Sequence, residues 1–502
     1  MKILPVELIR EADKYTIVNE PIDSVDLMER AANSCVEWIT EKYSNSAELC
    51  IFCGCGNNGG DGLAIARLWL QKGNIASVFV LNHSKRISSD FEVNYIRLKE
   101  IKFPIYEINT IDDFPNIDSS KIIIDSVLGS GLNNPIDGLI KDIVLKINSL
   151  KNQKLAIDIS TGLFADKFNN QEDVIFKADF TLSFELPKLA YFFPQNYQFV
   201  GKWVLLPINL SKFFIDKSYV MNYVIDNDVI KSIYKPRLKF AHKGNYGHAL
   251  LIAGSYGKTG AAILSAKSCL RTGVGLLTVH CSISAYTILQ QSVPEAMLET
   301  DVDNYVFTGF NDVEKYDVIA IGPGLGLNNK TQSAFSELIK NYKNPMVIDA
   351  DAINLLSENK SLIKHIPENS ILTPHLKEFE RISHKVQNDF ERNKLQRDFS
   401  IKNKVYVVLK GAYTAITTPE GNCYFNTSGN PGMATPGSGD VLTGIITSLL
   451  AQNYTSFEAC ILGVYLHGLA GDIYKNDYSE ESLIASDIID NLGNAFYSIK
   501  SF

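Results

Sequence analysis

Short apolar runs alternate with amphipathic stretches along almost the whole of this 502-residue chain. In the first half we expect strands at 48–54, 75–81, 121–129, 154–160 and 179–186. The near-continuous apolar character of these runs is typical of strands that are buried on both faces of a parallel sheet. Amphipathic stretches with apolar residues at helical spacing lie between them. The pattern therefore predicts an α/β fold.

A second series of the same kind follows in the other half of the chain. Here we expect strands at 248–255, 276–282, 316–324, 345–351, 370–375 and 405–411. Two successive series of strands and helices imply two three-layer αβα domains. The connecting segment 209–233 is aromatic and polar and contains no Pro or Gly run. We place the boundary near residue 222, which gives domains 1–221 and 222–502.

The composition narrows the classes of function. The net charge is 48 − 56 = −8, which argues against binding to duplex DNA because that requires a basic face. Charges at Glu7 and Arg10 do not fit the apolar region of a secretory leader, so we expect none, and no run reaches the ~18 apolar residues of a membrane span. The eight cysteines are too few and too scattered for a disulfide scaffold, so we expect the protein to be in a reducing cytoplasm. We interpret Cys50, Cys53 and Cys55 as apolar residues that end a buried strand, because a zinc site lacks a further Cys or His nearby.

The stretch GCGNNGGDG, residues 54–62, directly follows the first strand. Backbone N–H groups converge in such a turn, and the dipole of a following helix favours an anion. We expect that helix to follow Asp61. A G-x-G-x-x-G pattern fits at Gly54, Gly56 and Gly59, but no acidic residue follows ~20 positions later at the end of the next strand. Because the loop also lacks a Walker lysine, we expect it to hold a phosphate passively.

Side chains with oxygen atoms follow two further strands. Asp125 ends one strand, and Asp158, Ser160 and Thr161 end the next. Open parallel sheets bind ligands at the carboxyl ends of their strands, and carboxylate and amide oxygens suit hard cations. Each of these residues could instead cap a helix or form a turn. Three such strand ends together favour a ligand site.

The segments GCGNNGGDGLAIAR, DSVLGSGL and AIDISTGL, with LMERAA upstream, resemble the N-terminal domain of the YjeF-type proteins, the NAD(P)HX epimerases. The resemblance covers roughly residues 1–210 and implies a Rossmann-like domain that binds a hydrated nicotinamide dinucleotide. It implies a potassium ion with Asn58, Asp125 and Thr161 as ligands, and it makes Asp158 the acid–base residue. The implied contacts with the dinucleotide are Asn57, Asn58, Gly59, Gly60, Asp61, Gly129, Ser130, Gly131, Leu132, Asn133, Asn134, Pro135 and Asp158.

One departure from that family concerns the last motif. The family usually has Asp-x-Pro-Ser-Gly, whereas this chain has Asp-Ile-Ser-Thr-Gly at 158–162. Thr161 keeps the hydroxyl group, so we expect the ion site to survive without the proline. Lys188 is a further candidate for the active site.

The most informative stretch of the second half is 425–452, in which Gly437, Ser438, Gly439 and Asp440 precede a helix. The glycines allow backbone N–H groups to point at an anion at the helix start. Asp440 is either a helix cap or a carboxylate beside that anion. A carboxylate next to phosphate oxygens is unfavourable unless a metal or the chemistry requires it, which favours a catalytic base.

Other strand ends of the second half carry polar residues or glycines. They are Gly322–Gly326, Asp349, Asp351, Asn354, His375, Glu378 and Lys410. We expect Lys410 to contact a phosphate. The segment 254–260 contains Gly-Lys-Thr, but a Walker loop requires glycine where this chain has Ile252, so we interpret it as a turn that lines a ligand site.

The segments HKGNYGHALLIAGSYGKTGAA, IGPGLG, VIDADAINLL, LTPHLKEFERI, LKGAYT and PGSGDVLTG together resemble the ADP/ATP-dependent NAD(P)HX dehydratase. This ribokinase-like domain covers roughly residues 225–500. The resemblance implies Asp440 as catalytic base and Mg²⁺ with ADP or ATP, ADP being favoured, with Glu378 a candidate for a Mg²⁺ role. The implied substrate contacts are Ala253, Gly324, His375 and Asp440, and the implied nucleotide contacts are Lys410, Gly411, Ala412, Tyr413, Thr414 and Gly439.

The expected activity is the repair of hydrated NAD(P)H, in which one domain interconverts the epimers and the other dehydrates the S epimer. We expect small-molecule substrates, a homo-oligomer, and neither nucleic-acid nor membrane partners. Two alternatives remain open: a ribokinase-like kinase that acts on a vitamin alcohol, and a non-catalytic nucleotide-binding regulator.

Overall fold

The computed structural model describes residues 1–43 and 47–500, which form two compact units. The first unit comprises residues 2–220 together with 388–390. The second unit comprises residue 1, residues 221–387 and residues 391–502. None of the described helices is long and apolar enough to span a membrane.

The first unit is built on a parallel sheet that has seven strands among the described residues, in the order β3-β2-β1-β4-β5-β6-β7. The strands are β1 (Glu48–Cys53), β2 (Ile75–Leu81), β3 (Ile105–Ile108), β4 (Ile122–Ser126), β5 (Lys154–Ile157), β6 (Phe180–Phe184) and β7 (Lys202–Leu206). The helices are α1 (Val6–Asn19), α2 (Ser24–Tyr43), α3 (Asn57–Gln71), α4 (Ser89–Glu100), α5 (Gly138–Asn148), α6 (Tyr197–Val200) and α7 (Lys212–Lys217).

Strand β1 explains why this sheet must be covered on both faces. Leu49, Ile51 and Cys53 belong to a core shared with α2, α3 and α4. Cys50 and Phe52, which alternate with them, belong to a second core shared with α5. Successive side chains of a strand point to opposite faces, so an unbroken apolar strand requires helices on each side.

The second unit contains a sheet with ten strands among the described residues, in the order β11-β10-β9-β12-β13-β14-β15-β16-β17-β8. All pairs are parallel except β15 with β16 and β16 with β17. The strands are β8 (Asn222–Val224), β9 (His248–Ile252), β10 (Leu276–Cys281), β11 (Met297–Thr300), β12 (Val318–Ile321), β13 (Met346–Ile348), β14 (Ile371–Leu372), β15 (Tyr406–Leu409), β16 (Ala415–Thr417) and β17 (Cys423–Phe425).

Helices cover both faces of this second sheet as well. They are α8 (Asn227–Ile233), α9 (Thr259–Thr272), α10 (Tyr286–Ser292), α11 (Asn329–Asn341), α12 (Ala350–Glu358), α13 (Leu376–Ile382), α14 (Asp389–Asn403), α15 (Ser438–Ala451), α16 (Ser456–Asp477) and α17 (Ala485–Lys500). One core joins the sheet to α9 and α15–α17, and the other joins it to α11–α13. The predicted fold class, two αβα units, is confirmed.

Each strand expected from the sequence is present, and the differences lie elsewhere. The sequence analysis did not include β3, β7, β8, β11, β16 and β17. Helix α3 begins at Asn57 instead of after Asp61, so that expectation was wrong. The helix starts early because Gly59 lets its first turn approach β1: a Cβ at Gly59 would lie 1.8 Å from the Gly54 carbonyl oxygen.

Helices α9 and α15 lie so close together that Gly444 has no space for a side chain. A Cβ at this position would lie 2.1 Å from the Ser265 carbonyl oxygen and 2.0 Å from Ser268 Oγ. We expect Gly444→Ala to destabilise the second unit by about 1–3 kcal/mol, because the helices must separate. Hydrogen exchange of the α9 and α15 amides, followed by mass spectrometry, measures the loss of protection.

Gly493 provides the matched control, because it also lies inside a helix and a Cβ there meets nothing within 4 Å. Gly493→Ala removes a helix-disfavouring glycine and is expected to be neutral or to stabilise by up to about 1 kcal/mol. Wild-type protection of α9 and α15 in Gly444→Ala would contradict the close helix contact.

Candidate active sites

A cleft of about 960 Å³ opens at the carboxyl edge of the first sheet. It lies where the strand order reverses, between β1 and β4, which is where open α/β sheets bind their ligands. Most of the dinucleotide contacts expected from the sequence line it: Asn57, Asn58, Asp61, Gly129, Ser130, Gly131, Leu132, Asn133, Asn134, Pro135 and Asp158. Gly59 and Gly60 are buried in the first turn of α3 and do not line the cleft.

The three expected potassium ligands come from the ends of β1, β4 and β5. Asp125 is buried, and it accepts hydrogen bonds from Thr161 N at 2.7 Å and from Thr161 Oγ1 at 2.6 Å. Burial raises the pKa of Asp125 to about 6, against the effect of these hydrogen bonds. The side-chain amide of Asn58 is buried, and neither its oxygen nor its nitrogen has a hydrogen-bond partner in the described structure. A buried amide of this kind is costly unless a ligand satisfies it.

The carboxylate of Asp158 is held by the ammonium group of Lys188. Lys188 is 1% exposed, and its Nζ donates to Asp158 Oδ1 at 2.5 Å and to Ser183 Oγ at 2.8 Å. Burial alone would raise the pKa of Asp158, but Lys188 and the Ser130 N–H hold it below its usual value. Asp158 therefore stays ionised at neutral pH and can act as a base.

The backbone at Asp158 supports the same arrangement. Its φ is +64°, a left-handed conformation that is uncommon for a residue with a side chain. The Tyr191 hydroxyl donates to the Asp158 carbonyl oxygen at 2.5 Å. Strained conformations of this kind persist where the surroundings fix them, which is common in active sites.

Helix α1 forms one wall of the cleft, and the sequence analysis did not consider it. Arg10, Asp13, Lys14 and Ile17 line the cleft. Their spacing of three, four and seven residues, on one face of a helix, was the available signal. The Arg10 guanidinium lies so close to Gly131 that a Cβ there would be 2.3 Å from Arg10 Nη2.

In the second unit, Asp440 lies in the first turn of α15, three residues after the N-cap Gly437. Its carboxyl group is not the cap of this helix, because the N-cap is Gly437, which has a φ of +88°. Burial, followed by the negative charge of Asp349, raises the pKa of Asp440 to about 7, and Lys410 opposes this shift. Near pH 7 such a carboxyl group exchanges a proton readily.

Beside Asp440, the buried Asp349 pairs with the partly buried Lys410. Lys410 Nζ donates to Asp349 Oδ1 at 2.9 Å, and Thr443 Oγ1 donates to Asp349 Oδ2 at 2.6 Å. Burial would lower the pKa of Lys410, but the charges of Asp349 and Glu378 raise it. A Cβ at Gly439 would lie 3.3 Å from Lys410 Nζ, so the ammonium group lies beside the glycine turn that starts α15.

His375 and Glu378 lie together at the start of α13, as their spacing predicts. The His375 ring accepts from the backbone N–H groups of Lys377 and Glu378, and Glu378 Oε2 accepts from His375 N at 2.8 Å. This is a capping box, so the two side chains have a structural role whatever else they bind. His375 also pairs with Lys410 in a β-bridge, which brings it to the Lys410 side of the site.

Ala253 and Gly324 follow the adjacent strands β9 and β12. Ala253 is 1% exposed, so only its backbone can contact a ligand. Gly324 has a φ of +59°, and its carbonyl oxygen accepts from Ser255 N at 2.7 Å. Lys258 donates to Asp351 at 2.9 Å, and Asp351 also accepts from Gly326 N, so the lysine of the Gly-Lys-Thr segment fixes a turn.

The remaining expected nucleotide contacts form the turn between β15 and β16. Gly411 and Ala412 are exposed, and Tyr413 and Thr414 are partly buried. Thr414 Oγ1 donates to the Gly411 carbonyl oxygen at 3.1 Å, which closes the turn. The roles of these residues in binding stay predictions.

The cysteine run at the end of β1 carries no metal-site geometry. Cys50, Cys53 and Cys55 are buried free thiols, and burial raises the pKa of Cys50 to about 11. Across residues 1–43 and 47–500, no group of three or more His, Cys, Asp or Glu side chains could hold a metal ion.

Comparison with known proteins gives a separate family match for each half of the chain. Residues 24–190 match a family described as YjeF-related protein N-terminus, and residues 249–494 match a family described as NAD(P)H-hydrate dehydratase. A crystal structure of a ribokinase-like superfamily protein from Enterococcus faecalis is 31% identical, with a TM-score of 0.50 over 56% of this chain and 98% of that chain.

Two relatives match over nearly their whole length. The bifunctional NAD(P)H-hydrate repair enzyme of Thermofilum pendens is 30% identical over 100% of this chain and 97% of its own. That of Moorella thermoacetica is 31% identical over 96% of this chain and 94% of its own. These matches confirm the resemblance in both halves. The chain therefore belongs to the family of bifunctional NAD(P)H-hydrate repair enzymes.

Proposed function

We propose that the two units divide the repair of hydrated NAD(P)H between them. The first domain, 1–221, interconverts the R and S epimers at the hydrated ring carbon. The second domain, 222–502, dehydrates the S epimer at the expense of ADP or ATP and releases phosphate. The observation that carries the proposal is that each unit has its own reactive carboxyl group at the carboxyl edge of its sheet, Asp158 in one and Asp440 in the other.

The dehydration begins with a proton transfer to Asp440. Its carboxylate accepts the proton of the ring hydroxyl, and the hydroxyl oxygen attacks the terminal phosphorus of the nucleotide. The bond from that phosphorus to its bridging oxygen breaks, and AMP leaves from ADP, or ADP leaves from ATP. Lys410 and the backbone N–H groups after Gly437 bind the phosphate oxygens and stabilise their charge. The C–O bond then breaks with its electron pair on the departing phosphate, and the ring nitrogen supplies electrons to the carbon. The neighbouring carbon loses a proton to the departing phosphate, and the C–H electron pair forms the restored double bond.

In the second site, most ligands of a magnesium ion would come from the nucleotide phosphates and few from the protein. Mg²⁺ usually binds one or two carboxylates plus substrate phosphates. Glu378 is buried near Lys410, and one of its oxygens already accepts the His375 backbone N–H. Mg²⁺ would arrive with the nucleotide, neutralise phosphate charge and have Glu378 as its nearest candidate ligand. Asp440 would still accept the proton, and Lys410 and the glycine turn would still bind the phosphate oxygens.

Potassium fits the first site. The unsatisfied amide of Asn58, the buried carboxylate of Asp125 and the Thr161 hydroxyl are oxygen ligands of the kind that hard cations take. An ion there would offset the Asp125 charge and satisfy the Asn58 oxygen.

The test of the function uses the intact protein and an epimeric mixture of NADHX with Mg²⁺ and ADP, ATP or no nucleotide. We expect NADH absorbance to return from both epimers, with one phosphate released per NADH. Recovery of part of the mixture would mean that the first domain is inactive. No recovery with either nucleotide would exclude repair; a phosphorylated alcohol product would then indicate a kinase, and nucleotide binding without turnover a regulator.

Asp440→Asn keeps the shape of the side chain and removes the base. We expect the rate of nucleotide-dependent dehydration to fall by about 10²–10⁴-fold, while epimerisation stays unchanged. In the wild type, kcat/KM for dehydration rises with pH through about 7, because Asp440 must be ionised to accept the proton. Steady-state rates between about pH 5.5 and 8.5, roughly one and a half units either side of that pKa, measure this.

Asp490→Asn, at an exposed position of α17, is the matched control and should leave both activities intact. If Asp440→Asn lowered both activities in a folded protein, the proposed division of labour would be wrong.

The potassium site has a readout that needs no substrate. All three tryptophans, Trp38, Trp69 and Trp203, lie in the first unit, so their fluorescence follows its unfolding. We expect KCl to raise its melting temperature above that in LiCl of equal ionic strength by a few degrees, because ~1 kcal/mol shifts the Tm of a domain this size by about 2–4 °C. Asn58→Ala should abolish the difference.

Asn57→Ala is the control for this effect, since Asn57 is the exposed neighbour of Asn58. It should keep the difference between KCl and LiCl. An equal response to the two salts in the wild type would contradict the potassium site.

A further inference from the structure

Asp13 is a carboxyl group in the first cleft that the proposed function does not use. It is partly buried on α1 and lines the cleft together with Asp158. Burial and the charges of Asp158 and Lys188 act on its carboxyl group, and no hydrogen bond from another described residue does, so the group is available on the cleft side. A partly buried carboxyl group without a protein partner, facing a ligand cleft, is available to a ligand.

The surroundings of Asp13 are charged on the cleft side and apolar on the other. Asp158 and Lys188 act on it across the cleft, and Asp61 of α3 interacts with it as well. Arg10 lies one turn before Asp13 on α1 and Lys14 directly follows it, and His83 and Asp90 line the cleft from the end of β2 and from α4. The contacts of α1 with α2 and α7 are apolar: Leu27, Ala31, Phe214 and Ile215.

These surroundings shift the pKa values of Asp13 and Asp158 in opposite directions. Burial, followed by the charge of Asp158, raises the pKa of Asp13 to about 6, with Lys188 opposing. Asp158 is held ionised by Lys188 instead. Two neighbouring carboxyl groups whose environments separate their pKa values are the usual form of an acid–base pair.

Asp61 is less suited to the role of acid. Burial and the charges of Asp158, Asp13 and Asp90 raise its pKa well above the usual value. It therefore binds its proton more tightly than an ordinary carboxyl group, whereas a general acid works best with a pKa near the working pH.

We propose that Asp13 is the general acid of epimerisation and acts as the partner of the base Asp158. The proposal rests on the proposed epimerase function of the first domain. Asp158 accepts the proton of the ring hydroxyl, the C–O bond becomes a carbonyl, and the bond from that carbon to the ring nitrogen breaks. The nitrogen takes the electron pair of that bond and the proton of Asp13.

Closure of the opened ring reverses these transfers on the other face of the carbonyl. The nitrogen attacks the carbonyl carbon and returns its proton to Asp13, while the oxygen takes back the proton of Asp158. Atoms and charges balance, both carboxyl groups return to their starting states, and no co-reactant is needed. An enzyme with only one carboxyl group would need solvent for the second transfer.

The test starts from one purified NADHX epimer and follows the other by chromatography, with the non-enzymatic rate subtracted. We expect Asp13→Asn to lower kcat by about 10²-fold or more with little change in KM. Glu11→Gln makes the same charge change at an exposed position of α1 and should match the wild type. Dehydration of the S epimer with ADP checks in each variant that the second domain is intact.

The pH profile separates an acid from a structural residue. In the wild type, kcat/KM for epimerisation should decline as pH rises above about 6, because Asp13 must carry a proton. Asp13→Glu should keep this decline, and Asp13→Asn should lose it. A wild-type kcat in Asp13→Asn, a change confined to KM, or an unchanged decline in that variant would overturn the proposal.

The fluorescence melting curve of the three tryptophans shows whether Asp13→Asn folds, and if it does not, the decline in Asp13→Glu decides. A wild-type protein that does not epimerise would contradict the proposed function instead. The two failures are thereby distinguished.

Discussion

In a parallel sheet every strand ends at the same edge, and both sites of this protein depend on that constraint. Asn58, Asp125 and Thr161 are far apart in sequence, yet they follow β1, β4 and β5, which are adjacent in the sheet. In the second unit, Asp349 and Lys410 follow β13 and β15 and form an ion pair. The strand order of each sheet therefore determines which polar groups of the chain meet at its site.

Both sites use an aspartate, but Asp158 and Asp440 differ in proton affinity because their surroundings differ. Asp158 has a fully buried ammonium group against one oxygen, which keeps it ionised. Asp440 shares its cation, Lys410, with Asp349, and burial together with the negative charge of Asp349 keeps the pKa of Asp440 high. One site thus holds a permanent base, and the other holds a base whose proton affinity is matched to neutral pH. The second arrangement costs stability, since an ionised Asp440 is disfavoured in the folded state.

The sequence predicted the parts of the fold that are locally encoded. Central strands such as β1 and β9 are continuous apolar runs, and each was predicted. The missed strands are short or half-exposed: β3 has two exposed residues among four, and β8 has only three residues. Such strands exist because a neighbour pairs with them, as β17 does with β8, and no local pattern encodes that pairing.

The same limit applies to the sites. Glycine turns and strand-end aspartates were visible in the sequence because the chain itself joins them to strands. Asp13 was not, since it lies on a helix whose position against the cleft is decided by packing with α2 and α7. The ion pair of Asp158 with Lys188 likewise spans thirty residues, and nothing local predicts it.

The missing proline of the Asp-Ile-Ser-Thr-Gly turn tests how far a motif can change while its geometry survives. Proline fixes one backbone angle without a partner. Here hydrogen bonds hold the backbone of the turn instead. Ser160 Oγ donates to the Phe199 carbonyl oxygen at 2.6 Å, and Phe176 N donates to the Thr161 carbonyl oxygen at 2.8 Å. Both Ser160 and Thr161 are buried, so water does not compete for these bonds. The turn is held from both sides, and Thr161 Oγ1 still reaches Asp125.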